Sequence, residues 1–347
     1  MRLLLLLLLL PTALFAQIGG RASFDFLNRP VNARLLAEGI QNVSLYDQDP
    51  NLMQANPALL NEQMDKHLSI NWSPYYADIN AFAGAYAFNT ERWGPVGVQF
   101  VYYGYGTLPE TDPTGAVIGE FTAADYALAV TKSHVLGNYS VGGTVRLAGS
   151  QLADYQAFAA MLDLGAAFHH PTRDFHVGLT VRNVGATFDP YVPGGIRPPL
   201  PLHVALGMSY KLEHMPLRFS ITAHNLQQPD IVYLDPNQPG VLNADGVEVK
   251  EEKTIGDQIL RHFSFGGEFL LSKNFHLRAG YNHLMRRELR LESRSGGAGF
   301  ALGAMLRVKA FECAFTRSFY HVVGGTSTLT VTSNLASVFR NRTPKDQ

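Results

Sequence analysis

From about residue 67 to residue 338 the chain alternates, one position at a time, between large apolar side chains and small or polar ones. Leu202, Val204, Leu206, Met208, Tyr210 and Leu212 alternate with His203, Ala205, Gly207, Ser209 and Lys211. Phe275, Leu277, Ala279 and Tyr281 alternate with His276, Arg278, Gly280 and Asn282. Phe300, Leu302, Ala304 and Leu306 alternate with Ala301, Gly303, Met305 and Arg307. A period of two is the period of a strand, so one sheet face is apolar and the other small or polar. A soluble sandwich alternates in the same way. Strand length separates the two cases. Most of these segments run about 9 to 13 residues, enough for a tilted bilayer crossing, whereas soluble strands average about 5 or 6.

Fourteen such segments can be placed, near 67–73, 79–89, 96–104, 121–132, 138–148, 156–169, 175–184, 201–212, 216–225, 261–271, 275–284, 296–308, 310–320 and 326–338. Every even-numbered connection is short. Among the odd ones 105–120, 149–155, 185–200, 226–260 and 285–295 are longer. Short periplasmic turns and long external loops are the habit of outer-membrane barrels. The fold class expected is therefore all-β: a transmembrane antiparallel up-and-down barrel of about 14 strands, in the cell outer membrane. Lipid supplies no hydrogen-bond partners, so the barrel must close. Strand 14 is expected to pair with strand 1, where Leu68, Ile70 and Trp72 alternate with Ser69 and Asn71. Arg317 fits less well, because it falls on the apolar parity of its strand; a bulge or a place near the interface would account for it.

The N-terminus fixes an export route. Arg2, the run Leu3 to Leu10 and the end Leu14-Phe15-Ala16 read as a signal peptide over residues 1–16. Composition agrees with export into a membrane. Charged residues are 16% of the chain, against about 25% in soluble domains. After the leader no apolar run reaches the roughly 18 residues of a membrane helix. The net charge of −1 gives no electrostatic case for nucleic acid. Cys313 is the single cysteine, which rules out an internal disulfide.

Residues 17–66 do not alternate. They hold a helical stretch from Asn32 to Glu38 and a second, Leu52 to Met64, broken by Asn56-Pro57. The barrel face turned inward is rich in Ala and Gly, as at Ala81, Ala83, Ala85 and Ala87, which leaves room inside. The segment reads as a plug or a periplasmic cap; a loose tail is the alternative. Residues 339–347 read as a polar C-terminal tail beyond the barrel of 67–338.

No catalytic constellation emerges. There is no G-x-S-x-G, no H-E-x-x-H and no zinc spacing of cysteines. A hydrolase of less regular signature stays open. His176, His203, His224, His262 and His276 share the inward parity, which a polar lumen explains without a metal. Asp235 to Gly240 is too irregular for a calcium loop and reads as turns. Inward Arg146, Arg182, Arg218, Arg278 and Arg307 could form an anion path, or could pair with Asp163, Glu268, Glu312 or carboxylates of the plug. No catalytic residue, cofactor or metal ligand is assigned.

Several short motifs occur in order. They are Gln17-Ile18-Gly19-Gly20, Phe24-Asp25-Phe26-Leu27-Asn28, Ala33-Arg34, Val43-Ser44-Leu45-Tyr46-Asp47 and Asn56-Pro57-Ala58-Leu59-Leu60. Tyr76-Ala77-Asp78-Ile79, Tyr103-Gly104, the run Gly115 to Phe121 and Ala124-Asp125-Tyr126-Ala127 follow. Together they resemble the PorQ family of the type IX secretion system. That resemblance implies a 14-stranded barrel like the long-chain fatty-acid transporters. It also implies a non-enzymatic role in an outer-membrane attachment complex, which matures cargo and joins it to lipopolysaccharide. The implied partners are outer-membrane lipid, a PorZ-like surface subunit, the sortase PorU and the barrel PorV. A passive transporter of hydrophobic or anionic small molecules fits the same barrel. The longest connection, 226–260, mixes Ile231 to Leu234 with two prolines and the charged run Lys250 to Lys253, and is the expected partner-docking loop.

Overall fold

A computed structural model describes residues 22–195, 197–232, 241–242, 248–249, 253–289, 296–321 and 324–340. The leader, residues 1–16, lies outside the described residues, as do 235–240, 341–347 and most of the loop between 233 and 252.

Fourteen antiparallel strands close into one barrel. They are β1 (His67–Pro74), β2 (Asn80–Thr90), β3 (Gly94–Thr111), β4 (Val117–Leu136), β5 (Tyr139–Leu152), β6 (Tyr155–His169) and β7 (Phe175–Asp189). The second half is β8 (His203–Lys211), β9 (Leu217–Ala223), β10 (Phe263–Ser272), β11 (Phe275–Asn282), β12 (Phe300–Val308), β13 (Phe311–His321) and β14 (Gly324–Asn334). Each pairs with its neighbour in sequence, and β1 pairs with β14 from His67↔Asn334 to Trp72↔Leu329. Closure leaves no strand edge facing lipid, which is the condition for spanning.

The alternation maps onto the two faces. Leu206, Met208, Phe219, Leu277, Phe300, Leu302 and Leu306 are exposed on the outer wall. Ala205, Ser209, Ser220, Arg278, Ala301 and Met305 are buried within it. Cys313 is on the outer wall with Phe311 and Phe315. Arg317 keeps the apolar parity. The bulge in β13 lies beyond it, between Phe319 and His321, and its guanidinium bonds Ser327 Oγ of β14 at 2.8 Å.

Several boundaries differ from the sequence reading. The stretch 105–120 is mostly strand: β3 and β4 run on as a hairpin past the other strands, leaving 112–116 as the turn. Asp112 closes that turn, accepting from Thr114 N at 2.8 Å and Ala116 N at 3.0 Å. The stretch 149–155 shrinks to residues 153–154. Pairing satisfies backbone groups that a loop would leave to water, so polar strand ends zip up whenever a partner lies opposite. At the other terminus β14 stops at Asn334, not 338. There the Asn334 side chain accepts from Ala336 N and Ser337 N, and a short helix covers Leu335–Arg340. The longest connection spans 224–262 and carries one described helix, α3 (Ile255–Leu260).

Candidate functional site: the occupied lumen

The segment ahead of β1 lies inside the barrel. Its own turns come from local capping. α1 (Ala33–Ala37) begins where the Asn32 side chain accepts from Leu35 N at 2.8 Å. α2 (Leu52–Ala55) ends before Asn56-Pro57, because a proline removes a helical donor. Asn56 Oδ1 then caps the single turn Pro57–Leu59 through Ala58 N at 3.0 Å. Asn61 repeats the device for Glu62–Met64, through Gln63 N at 2.9 Å.

The segment runs the length of the bore. In the extracellular half Phe24, Phe26, Leu27 and Val31 pack against Ala81, Ala83, Tyr103, Ala127, Ala148 and Ala157. Phe26 meets Tyr103 edge-on, with centroids 5.7 Å apart. In the periplasmic half Leu45, Leu52, Met53, Leu59, Leu60 and Met64 pack against Ala85, Ala87 and Ala167. The small inward residues of the wall are what make space for these large ones.

Two kinds of contact hold the segment. Along β4 to β7 the wall meets its backbone directly. A Cβ on Gly142 would come within 2.5 Å of the Pro57 carbonyl, and one on Gly178 would strike the Val43 carbonyl oxygen. Glycine is the residue that lets two backbones come this close. Inward serines then take up the segment's carbonyls. Ser133 Oγ donates to Leu60 O at 2.5 Å, Ser140 Oγ to Ala58 O at 2.8 Å, Ser209 Oγ to Ser44 O at 3.0 Å and Ser264 Oγ to Gln41 O at 2.9 Å.

On the opposite flank charge is added to close approach, which recurs at Gly280 against Ala37 and Gly39. Arg34 of α1 reaches Asp47 at 2.5 Å, Asp49 at 3.5 Å and Glu268 of β10 at 3.6 Å. Glu268 also takes Arg278 at 2.8 Å and Arg218 at 3.0 Å, and Arg218 continues to Asp174 at 3.2 Å. Buried charges persist only when paired and hydrogen-bonded, and this network closes on itself across three strands and the inserted segment. α1 itself is tied down by Thr330 Oγ1, which accepts from Ala33 N at 2.8 Å, and by Thr316 Oγ1, which donates to Ala33 O at 2.6 Å.

The inward arginines thus meet carboxylates. Arg146 pairs with Asp163 at 2.7 Å, Arg218 and Arg278 share Glu268, and Arg307 pairs with Glu312 at 2.7 Å. Arg182 differs. It meets no carboxylate among the described residues and bonds Gln54 O, Gln41 Oε1 and His203 Nδ1 instead. His203 and His224 stack beside it at 6.5 Å. His276 lies 3.3 Å from Glu268 and His176 3.1 Å from Asp174.

Sequence reasoning missed Asn183. The register of β6 and β7 shifts between Leu162 and Leu164, and Asn183 takes a left-handed φ of 61°. Arg182 and Asn183 are therefore both buried in the bore. Asn183 accepts from Arg146 at 2.9 Å and donates to Asn28 Oδ1 at 3.0 Å, bridging wall to inserted segment. Asparagine tolerates that backbone region best after glycine, which is the one signal the sequence carried.

Outside the bore, α3 and α4 (His283–Leu289) meet at the extracellular rim. Asp257 joins them, lying 2.8 Å from Arg261 Nε, 3.1 Å from His283 Nε2 and 2.8 Å from Arg287 Nε. Partial burial works against its charge, and bonds from Arg261 and His283 more than offset that, holding the carboxyl below the usual range. At the periplasmic mouth the inserted segment leaves a cavity of about 1400 Å³ on the side of β8 to β14. Arg34, Asp47 and Arg278 line it, with Lys211, Lys273, Met305, Arg307 and Lys309. Among the described residues no three His, Cys, Asp or Glu side chains are grouped to hold a metal ion.

No family model matches this chain, and no curated protein matches it. Solved structures do. The Ralstonia pickettii toluene transporter TbuX aligns with a TM-score of 0.53 at 11% identity, covering 88% of this chain and 98% of that one. A Pseudomonas aeruginosa FadL homologue aligns at 0.52 and 13%, covering 88% and 98%. The CymD monoaromatic hydrocarbon channel aligns at 0.51 and 11%, covering 89% and 97%. These likenesses establish the fold: a FadL-type 14-stranded barrel of the outer membrane.

Proposed function

We propose that this protein is a sealed, non-enzymatic outer-membrane barrel that anchors a partner at the cell surface, as a component of a type IX attachment complex. The partner is a PorZ-like subunit, working beside the sortase PorU and the barrel PorV. The observation that carries the anchoring half of this reading is the filled lumen. Large apolar side chains pack into both halves of the bore, and wall serines and a charge network hold the segment there. A bore closed by its own chain suits holding better than passing. The secretion half rests on the ordered motifs from Gln17 to Ala127, and the solved structures do not bear on it.

The test is capture of the native protein from membranes, with partners identified by mass spectrometry. Shortening 230–255 to a few Gly and Ser residues is expected to leave a heat-modifiable barrel in the membrane and to release the surface subunit. Retention of that subunit at wild-type levels would move the docking surface to the β3–β4 hairpin or to 190–202.

A second reading is a passive transporter of hydrophobic or anionic small molecules. The comparisons favour it over anchoring, since TbuX and CymD are a toluene transporter and a hydrocarbon channel. At 11 to 13% identity the likeness carries the fold alone, and the filled lumen supports anchoring. Large, steady conductance of the intact protein in a planar bilayer, or toluene flux into vesicles, would reverse that choice.

A further inference from the structure

The periplasmic cavity has a charge pattern that neither reading uses. Its carboxylates are already engaged. Asp47 and Asp49 face Arg34, Glu312 faces Arg307 at 2.7 Å, and Glu213 faces Arg173 at 3.4 Å. Its lysines are not. Lys211, Lys273 and Lys309 line the cavity, and none has an acidic partner within ion-pair distance among the described residues.

Their placement is regular. Lys211 ends β8, Lys273 lies between β10 and β11, and Lys309 lies between β12 and β13, so each stands at one of three successive periplasmic turns. Lys309 holds a φ of 55°, which bends the two-residue connection 309–310 back on itself. Successive turns are two strand spacings apart, roughly 10 Å. The three ammonium groups therefore span roughly 20 Å, the length of about six residues of extended chain. A single phosphate or carboxylate could not engage all three. Between the lysines the lining is mixed, with Pro216, Leu270 and Met305 beside Ser272, His276 and Arg307. A cavity of about 1400 Å³ also exceeds the usual 300 to ~1000 Å³ of a small-molecule site.

We propose that this vestibule is a docking site for an extended acidic peptide segment presented from the periplasm, with carboxylates on the three lysines and the intervening residues over the mixed lining between them. The Arg34–Glu268 network forms its rigid floor, because those charges are satisfied before any ligand arrives. The site is independent of whether the barrel anchors a surface partner or passes a solute.

The test uses the intact protein in detergent and a dye-labelled octapeptide of alternating Glu and Leu, read by fluorescence anisotropy. Binding is expected, with affinity falling as salt rises. The same peptide with Gln for Glu should bind at least about tenfold more weakly. The triple variant Lys211→Gln, Lys273→Gln, Lys309→Gln should lose about tenfold in affinity while remaining heat-modifiable. If the wild type does not bind the acidic peptide, or the triple variant binds it equally well, the assignment is wrong. Inorganic phosphate or polyphosphate that binds while the peptide does not would overturn the peptide class and leave a simple anion site.

Discussion

The two flanks of the lumen hold the same inserted segment by different means, one by close approach alone and the other by close approach joined to a charge network. Along β4 to β7, glycines and serines let backbone lie on backbone, and close approach does the holding. Along β10 to β14 close approach recurs, with Gly280 against the backbone of Ala37 and Gly39, and charge is added to it, from Arg34 through Glu268 to Arg218 and Arg278. The cavity at the periplasmic mouth lies on the charged flank, lined by Arg34, Arg218 and Arg278. Shape contacts are short-ranged and tolerate no added volume. Charge contacts tolerate distance and fail when one member is removed.

The comparison breaks most sharply at Arg34. Arg34→Met leaves Asp47, Asp49 and Glu268 facing each other with less neutralisation, and should cost about 3–5 kcal/mol. Limited proteolysis should then release the N-terminal segment while the barrel stays folded. Adding Glu268→Gln should recover part of the loss, and a purely additive double variant would mean that the two do not interact. The outer wall provides the next contrast. Leu206→Arg puts a charge in lipid and should cost about 2–4 kcal/mol near the midplane, read from urea unfolding in vesicles. Ala205→Arg should act through crowding of the bore. Equal aqueous labelling of cysteines placed at 205 and 206 would reverse this facing.

Gly142→Val tests the flank of close approach. Its side chain has only the Pro57 carbonyl to occupy, and overpacking of this kind costs about 1–3 kcal/mol. Unlike the Arg34 variant, it should respond little to salt. The smallest effect is expected at Asn32→Ala, which removes the cap of α1 and should cost about 1 kcal/mol. Hydrogen exchange at Leu35 should rise while that at Ala58 stays constant. A parallel rise at both would show that the flanks open as one unit.

Much of the wall was legible one residue at a time. Lipid outside and a filled lumen inside impose opposite chemistry on successive positions, so the parity of Leu206 and Ala205 could be read directly. The helix from Asn32 was legible for a similar reason, since its cap lies three residues from what it caps, and the end of the next one was legible from Asn56-Pro57. The hairpin extension of β3 and β4 was not, because polar residues at 105–120 look like a loop until a pairing partner lies opposite. The inward turn of Asn183 was hidden too, since a bulge changes parity without any change in composition.

By itself, the sequence determined the barrel, its fourteen crossings, the facing of its strands and the presence of a segment unlike them. All of these are encoded locally, by periodicity and by connection length. Only the tertiary structure decided which carboxylate each inward arginine meets, that the first segment threads the bore, and that one flank of the mouth stays open. Arg34 and Glu268 are more than 200 residues apart in the chain, and Arg146 finds Asp163 across one strand pair. Such meetings depend on strand register and closure around the whole barrel, which no stretch of neighbouring residues contains.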